Sequence, residues 1–358
     1  MEKPSVNTVS ILPSSKTILR GVQAFIAFSA LGTVVGLWWK RPAGLDTVLV
    51  QLNWTFILAL IPLLALDYWL GGLRYRLFLN GNHFPNVSLW DCMRSNWANM
   101  FMGAATPFQT GGAPAQLYML WRKGVRVADS LLISTVNLGA TLIFFLLSSL
   151  LALFWIPADL FEDNFTSVFR TSFVVVGSIA GGILLVLFFP HGAYRLMEAV
   201  LNSIPLRSER WLHLRERWLT WAKSETDRFF EGFRVLLRYN KPALVLTVIA
   251  TLVLFFNKYL MGYAIARAIG QEVPFEIFIG LQVIQLLLIY FAPTPGASGV
   301  AELSAVWLMG KLMPESILLV YAVLWRSITT ILAAVIGGVV LLREVNSIES
   351  EISVEKAV

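Results

Sequence analysis

Four ionisable residues lie inside long apolar runs of the chain: Asp67, Lys258, Glu302 and Arg326. In lipid, a charged side chain at the centre of a helix costs on the order of 2.5–3.5 kcal/mol. Such groups therefore turn inward, pair with one another, or serve a ligand, ion or proton path. Asp67 and Lys258 occupy equivalent places in two similar stretches and carry opposite signs, which predicts that they face one another or a shared cavity. Glu302 and Arg326 fit two readings. One is a buried ion pair holding neighbouring elements together; the other is a substrate or proton site.

The stretch around Glu302, "YFAPTPGASGVAELSAVWLMG" (290–310), interrupts an apolar run with Pro293, Pro295, Gly296 and Gly299. Proline and glycine break the helix, and Thr294 and Ser298 can satisfy the backbone groups so freed. Helix ends exposed at mid-membrane would offer N–H donors and a positive dipole end to an anionic headgroup. "GASG" (296–299) is similar to the nucleophile motif of rhomboid proteases, but no histidine follows His213 in the chain. A serine without a base is a poor nucleophile, so peptide hydrolysis is set aside.

A second broken run, "GAATPFQTGGAPAQ", repeats the pattern: "TPFQTGGA" from Thr106 and "TPGASGVA" from Thr294 both fit T-P-x-x-[ST]-G-x-A. The candidate substrate-binding residues are therefore Thr106, Pro107, Gln109, Gly111, Gly112 and Gln116 in the first run. In the second they are Thr294, Pro295, Ser298, Gly299 and Glu302. Gln109, Gln116 and Tyr118 flank the first turn and are read either as substrate contacts or as helix packing. No catalytic residue, metal site or cofactor is predicted: G-x-x-x-x-G-K-[ST] is absent, and the lone Cys92 and three scattered histidines form no ligand set.

The elements that must position these residues follow from composition. Of 358 residues, 57% are hydrophobic and only 14% charged, against roughly 25% charged in soluble domains. The class is an all-α polytopic membrane protein. Runs near 18–39, 47–72, 130–156, 172–189, 243–266 and 316–342 are long enough to span a bilayer core. The broken runs 93–121 and 275–312 have halves too short to cross, and are expected to form re-entrant helical hairpins. The first run is read as a span rather than a cleavable leader.

Lysine and arginine set the expected orientation. The segment 191–241 is rich in both and interleaved with tryptophan and phenylalanine. It is read as amphipathic helix on the cytoplasmic face, or as a docking site for a soluble partner. The loop 157–170 is acidic and expected outside, which puts both termini in the cytoplasm, with Lys40 and Arg41 as exceptions to the rule. The net charge of +6 then reports topology and anionic headgroups rather than nucleic acid.

On this topology the first hairpin enters from the cytoplasm and the second from outside, and the sequence carries a matching repeat. "DYWLGGLRYR" (67–76) aligns without a gap on "KYLMGYAIAR" (258–267), sharing Tyr68/Tyr259, Gly71/Gly262 and Arg76/Arg267, followed by Pro85/Pro274. The offsets of Lys258 from Asp67, Pro274 from Pro85 and Thr294 from Thr106 are 191, 189 and 188 residues. Three spans and a hairpin per half force the second half upside down, the inverted-repeat plan of many transporters. The expected organisation is a tail (1–17), a first repeat (18–157), a second repeat (158–342) and a polar tail (343–358).

"NMFMGAATPFQTGGAPAQLYMLWRKG", "YFAPTPGASGVAELSAVWL" and the "RYRLFL" run resemble the lysylphosphatidylglycerol synthase transmembrane-domain family, over roughly 20–342. The resemblance implies a stand-alone, lipid-translocating domain without the lysyl-transferase domain. By matching position, Thr106, Pro107, Gly111, Gly112, Thr294, Pro295, Gly299 and Glu302 are its motif residues, and Arg326 matches the arginine of the last span. Relatives often carry an acid after the first glycine pair; here Ala113 stands there, leaving Glu302 to act alone.

The expectation is a flippase-like transporter of an anionic phospholipid, glycolipid or polyprenyl-phosphate-linked lipid in a prokaryotic inner membrane. Its partners would be anionic lipids, with a lipid-modifying enzyme or a second copy of the chain as further candidates. The alternative is a membrane enzyme or accessory subunit acting on a lipid-linked sugar, with Glu302 or Asp67 as acid or base.

Overall fold

The computed structural model describes residues 52–157, 209–290 and 292–357, with isolated helical positions between 174 and 199. The predicted tail 1–17, the span 18–39 and the acidic loop beyond residue 157 lie outside the described residues. The 172–189 span and the first part of the basic segment are described only at those isolated positions.

Among the described residues no strand occurs, and the regular elements are helices. In chain order these are α1 (Trp54–Arg76), α2 (Leu89–Ala105), α3 (Gly112–Trp121), α4 (Val127–Trp155) and α5 (Glu209–Tyr239). They continue with α6 (Lys241–Ala268), α7 (Phe275–Tyr290), α8 (Val300–Met309), α9 (Glu315–Arg326) and α10 (Leu332–Ala357). Four stretches are long and apolar enough to cross a membrane: Trp54–Arg76, Val127–Ala152, Lys241–Ala268 and Glu315–Ser347. The last combines α9 and α10 through a π turn, Ser327–Ile331.

Local chemistry sets the helix starts. The Asn53 side chain accepts from the Thr55 N–H (3.1 Å) at the head of α1, and Ser88 accepts from Asp91 N–H (3.1 Å) at the head of α2. Some helices outrun the apolar runs that predicted them: α6 extends two residues beyond each end of 243–266, whereas α1 starts only at Trp54 in the run expected from 47. α10 continues through the expected polar tail to Ala357, because neither proline nor glycine follows Gly338 to stop it.

Contacts fix which helix ends lie together. Tyr75, Phe78 and Leu79 at the end of α1 cluster with Leu120 of α3, Leu132 of α4, Leu236 of α5 and Ala243 of α6. At the other end, Asn53 N–H donates to the Ala268 carbonyl (2.8 Å), and Ile156 packs with Ile269 and Val273. α2 and α3 therefore start and finish at one end of the body, while α7 leaves from the other. α5 is more than a surface helix: Phe229, Phe233 and Leu236 join the core, and the Glu225 carboxylate accepts from the Ala128 N–H (2.9 Å) at the head of α4.

Candidate functional site

Both broken runs form helix–turn–helix hairpins, and their turns touch. Pro107–Gln109 links α2 to α3, and Pro295–Ala297 lies between α7 and α8. Each turn places two consecutive residues in the left-handed region: Phe108 (φ 52) and Gln109 (φ 55), then Gly296 (φ 58) and Ala297 (φ 57). For residues with a Cβ this costs roughly 1–2 kcal/mol each, and Phe108, Gln109 and Ala297 all accept it. Strain of this kind persists only where the surroundings over-determine it.

Side chains lock the turns. Thr106 Oγ1 donates to the Met102 carbonyl (2.7 Å) and accepts from the Gly111 N–H (2.8 Å). A Cβ on Gly112 would lie 2.2 Å from Asn99 Oδ1, so α3 approaches α2 closely only because a glycine stands there. In the second turn Thr294 Oγ1 donates to the Ser298 carbonyl (2.8 Å). Gly299, at φ 84, heads α8, and its N–H donates to Glu302 Oε2 (2.6 Å). Glu302 Oε1 lies 3.1 Å from Arg326 Nε, while Arg326 donates to the Gly296 carbonyl (2.7 Å) and to Ser298 Oγ (3.3 Å). One arginine thus ties the last span to both sides of the second turn.

Where the turns meet, the body encloses a cavity of about 630 Å³. Phe108, Gln109 and Gly296 of the turns line it, together with Asp67 and Arg74 of α1, Asn99 of α2, Gln116 of α3, Asn137 of α4, Lys258 of α6, Gln285 of α7 and Arg326. Lys258 Nζ lies 2.7 Å from Asp67 Oδ1, so the two intramembrane charges of the aligned stretches meet across the cavity wall. Phe108, Ala113 and Leu131 line the cavity and are exposed as well, so it opens at the surface between the first turn and α4.

Of the sequence-selected site residues, Gln109, Gln116, Asp67, Lys258 and Arg326 reach the cavity. Thr106, Pro107, Gly111, Gly112, Thr294, Pro295, Ser298, Gly299 and Glu302 build the two turns behind it. Arg74 lies in the aligned stretch 67–76 but was not among the site residues selected from the sequence, yet it lines the cavity. The missed signal is spacing: Arg74 follows Asp67 by seven residues, two helical turns, on the same face. Asn137 gave no signal, being a single amide in its apolar run, whereas Gln285 follows Gln282 by three residues on one helical face, and both line the cavity.

A separate ionic cluster closes the base of the first hairpin. Arg94 Nη2 and Arg122 Nε reach Glu344 of α10 at 3.0 and 3.4 Å, and Lys123 Nζ reaches Asp91 Oδ1 at 3.1 Å. Burial alone would raise the Asp91 carboxyl. Ser88, Lys123 and Arg94 outweigh it and hold its pKa below the usual carboxylate value.

Comparison with known proteins agrees with the membrane architecture. The family model described as lysylphosphatidylglycerol synthase TM region matches residues 23–337. A UPF0104 membrane protein from Archaeoglobus fulgidus is 25% identical over 291 residues, covering 79% of this chain and 84% of that protein. No solved structure matches the chain.

Proposed function

This chain belongs to the lysylphosphatidylglycerol synthase transmembrane-region family, and we propose that it translocates an anionic lipid between leaflets through the cavity at the two broken turns. The observation that carries the proposal is the meeting of two interrupted helices, entering from opposite ends of the body, at a cavity whose largely apolar wall carries a few charged and amide side chains. Three basic side chains line it against one acid. Irregular backbone at membrane depth is tolerated where it lines such a cavity, and broken-helix ends at the midplane are a common plan for transporter sites. The halves of each hairpin have 17 and 10 residues, and 16 and 10 residues. At 1.5 Å per residue they reach about 15–25 Å, short of the roughly 30 Å hydrocarbon core. Re-entrant hairpins in an inverted repeat account for these lengths.

In the proposed arrangement the headgroup occupies the cavity while acyl chains leave by the exposed side between Phe108 and Leu131. The basic α5 and the base of the first hairpin face the cytoplasm of a prokaryotic inner membrane. The lipid is a phospholipid, glycolipid or polyprenyl-phosphate-linked lipid with an anionic headgroup. Glu302 supports the second turn through the Gly299 N–H and Arg326, and any proton role requires that pair to open.

The test follows labelled headgroups in proteoliposomes, comparing wild type, Glu302→Gln and empty vesicles. Faster exchange with wild type, slowed by Glu302→Gln, is expected. No acceleration with any of the three lipid classes overturns the proposal.

A further inference from the structure

The ionic pairing of the cavity leaves one cation over. Lys258 is matched by Asp67 and Arg326 by Glu302, but among the described residues no carboxylate pairs with Arg74. Its guanidinium is held by neutral acceptors only: Nε donates to Asn137 Oδ1 (3.0 Å), and Nη2 donates to the Asn137 carbonyl (2.7 Å) and to Thr141 Oγ1 (3.2 Å). These bonds fix the fork and leave the Nη1 edge without a hydrogen-bond partner among the described residues. A half-buried arginine with neutral partners is costly unless something else compensates its charge.

Buried amides on the same cavity point the same way. Asn137 is 4% exposed and its Nδ2 has no partner, because Oδ1 faces Arg74. Gln116, 1% exposed, accepts at Oε1 from the Tyr75 hydroxyl (2.8 Å) and from Asn99 Nδ2 (2.7 Å), leaving its Nε2 unpaired. Gln285 is wholly buried and neither end of its amide is paired. Buried polar groups in folded proteins are almost always satisfied, so three N–H₂ groups left without an acceptor in the wall of the cavity that Arg74 also lines mark a place where an acceptor is missing.

We infer that Arg74, with Asn137, Gln116 and Gln285, forms an oxyanion subsite that takes a singly charged phosphodiester. One unmatched positive charge calls for one negative charge, and a fork plus amide donors suits two equivalent phosphate oxygens. The phosphodiester comes either from a membrane lipid or from a free glycerophosphodiester. The inference deepens the lipid-translocation reading and rests on it for the identity of the cavity as a headgroup path.

The experiment measures binding to the purified full chain by equilibrium dialysis. The probes are short-chain dihexanoyl phosphatidylglycerol, the free headgroup glycerophosphoglycerol, and inorganic phosphate. Arg74→Gln is expected to weaken binding of the phosphodiester probe by about tenfold or more, as loss of one charge-assisted contact implies. Arg74→Lys should retain part of it.

Asn137→Asp is the decisive companion, because it places a carboxylate on the oxygen that already accepts from Arg74. It keeps the bonds that hold α1 to α4 while cancelling the free charge, so the protein should stay folded and lose the anion. Stronger binding of the lipid than of the free headgroup, with both sensitive to Asn137→Asp, assigns the membrane source. Equal binding of the two assigns the soluble one. Phosphodiester binding that is unchanged in folded Asn137→Asp, or an equal preference for inorganic phosphate dianion, overturns the subsite. Binding is read without transport, so failure of exchange in vesicles bears on the translocation reading alone.

Discussion

At the scale of single residues, the cavity is organised by opposite charges contributed by separate helices. Asp67 is 4% exposed at its side chain and Lys258 24%, with 2.7 Å between them. Removing one partner of a buried pair leaves the other charge uncompensated, which typically costs about 3–5 kcal/mol. Lys258 keeps some access to solvent, so the lower end of that range applies. Asp67→Asn and Lys258→Met are each expected to lower thermal stability in detergent by several degrees. The exchanged pair, Asp67→Lys with Lys258→Asp, should recover most of the loss. Recovery would show that the attraction is mutual; an exchanged double variant no better than the singles would place the two charges in separate roles.

At the scale of elements, close approach between helices is set by glycines where no side chain fits. A Cβ on Gly337 of α10 would lie 2.0 Å from the Trp97 carbonyl oxygen of α2, and backbone cannot swing aside as a side chain can. Gly337→Ala should push α10 off the first hairpin and cost roughly 1–3 kcal/mol, read as a lowered unfolding midpoint and as faster hydrogen exchange in α2. Gly71 and Gly262 serve the two aligned stretches in a parallel way. A Cβ on Gly71 would lie 2.4 Å from Asn96 Nδ2 of α2, and one on Gly262 would lie 2.4 Å from Gln282 Nε2 of α7. Each therefore admits the first helix of a hairpin.

These paired glycines, with the T-P turns, made much of the architecture legible in the sequence, because turn chemistry and backbone approach leave residue-specific marks. The cavity lining left fewer marks. Asn137 and Gln285 point inward because of where α4 and α7 pack, which depends on contacts between helices far apart in sequence. The turn residues carry a structural task that a purely local reading does not show. Thr106 and Glu302 are ligand types whose hydrogen bonds in this structure go to the chain's own backbone and, for Glu302, also to the Arg326 side chain.

At the scale of the whole molecule, the question is whether its two ends lie on two sides of a membrane. The end of α1, the base of the first hairpin and the start of α4 and α6 share one cluster; the start of α1, the end of α6 and the loop leading to α7 share the other region. Four apolar stretches of 23, 26, 28 and 33 residues connect these ends. Their lengths, at 1.5 Å per residue, exceed the roughly 30 Å core, so the two ends must emerge on opposite faces if the stretches span.

Asn82, after α1, and Lys311, after α8, are both exposed and sit at opposite ends. The sole cysteine, Cys92, is buried, so Cys92→Ser gives a background for single reporters. With Asn82→Cys or Lys311→Cys added, a membrane-impermeant maleimide applied to intact cells is expected to label position 311 and to reach position 82 only after permeabilisation. That outcome would put the two hairpin bases on opposite faces, as an inverted repeat demands. Labelling of both positions from the same side would mean that the hairpins share a face, and the symmetry of the two T-P turns would then reflect packing alone.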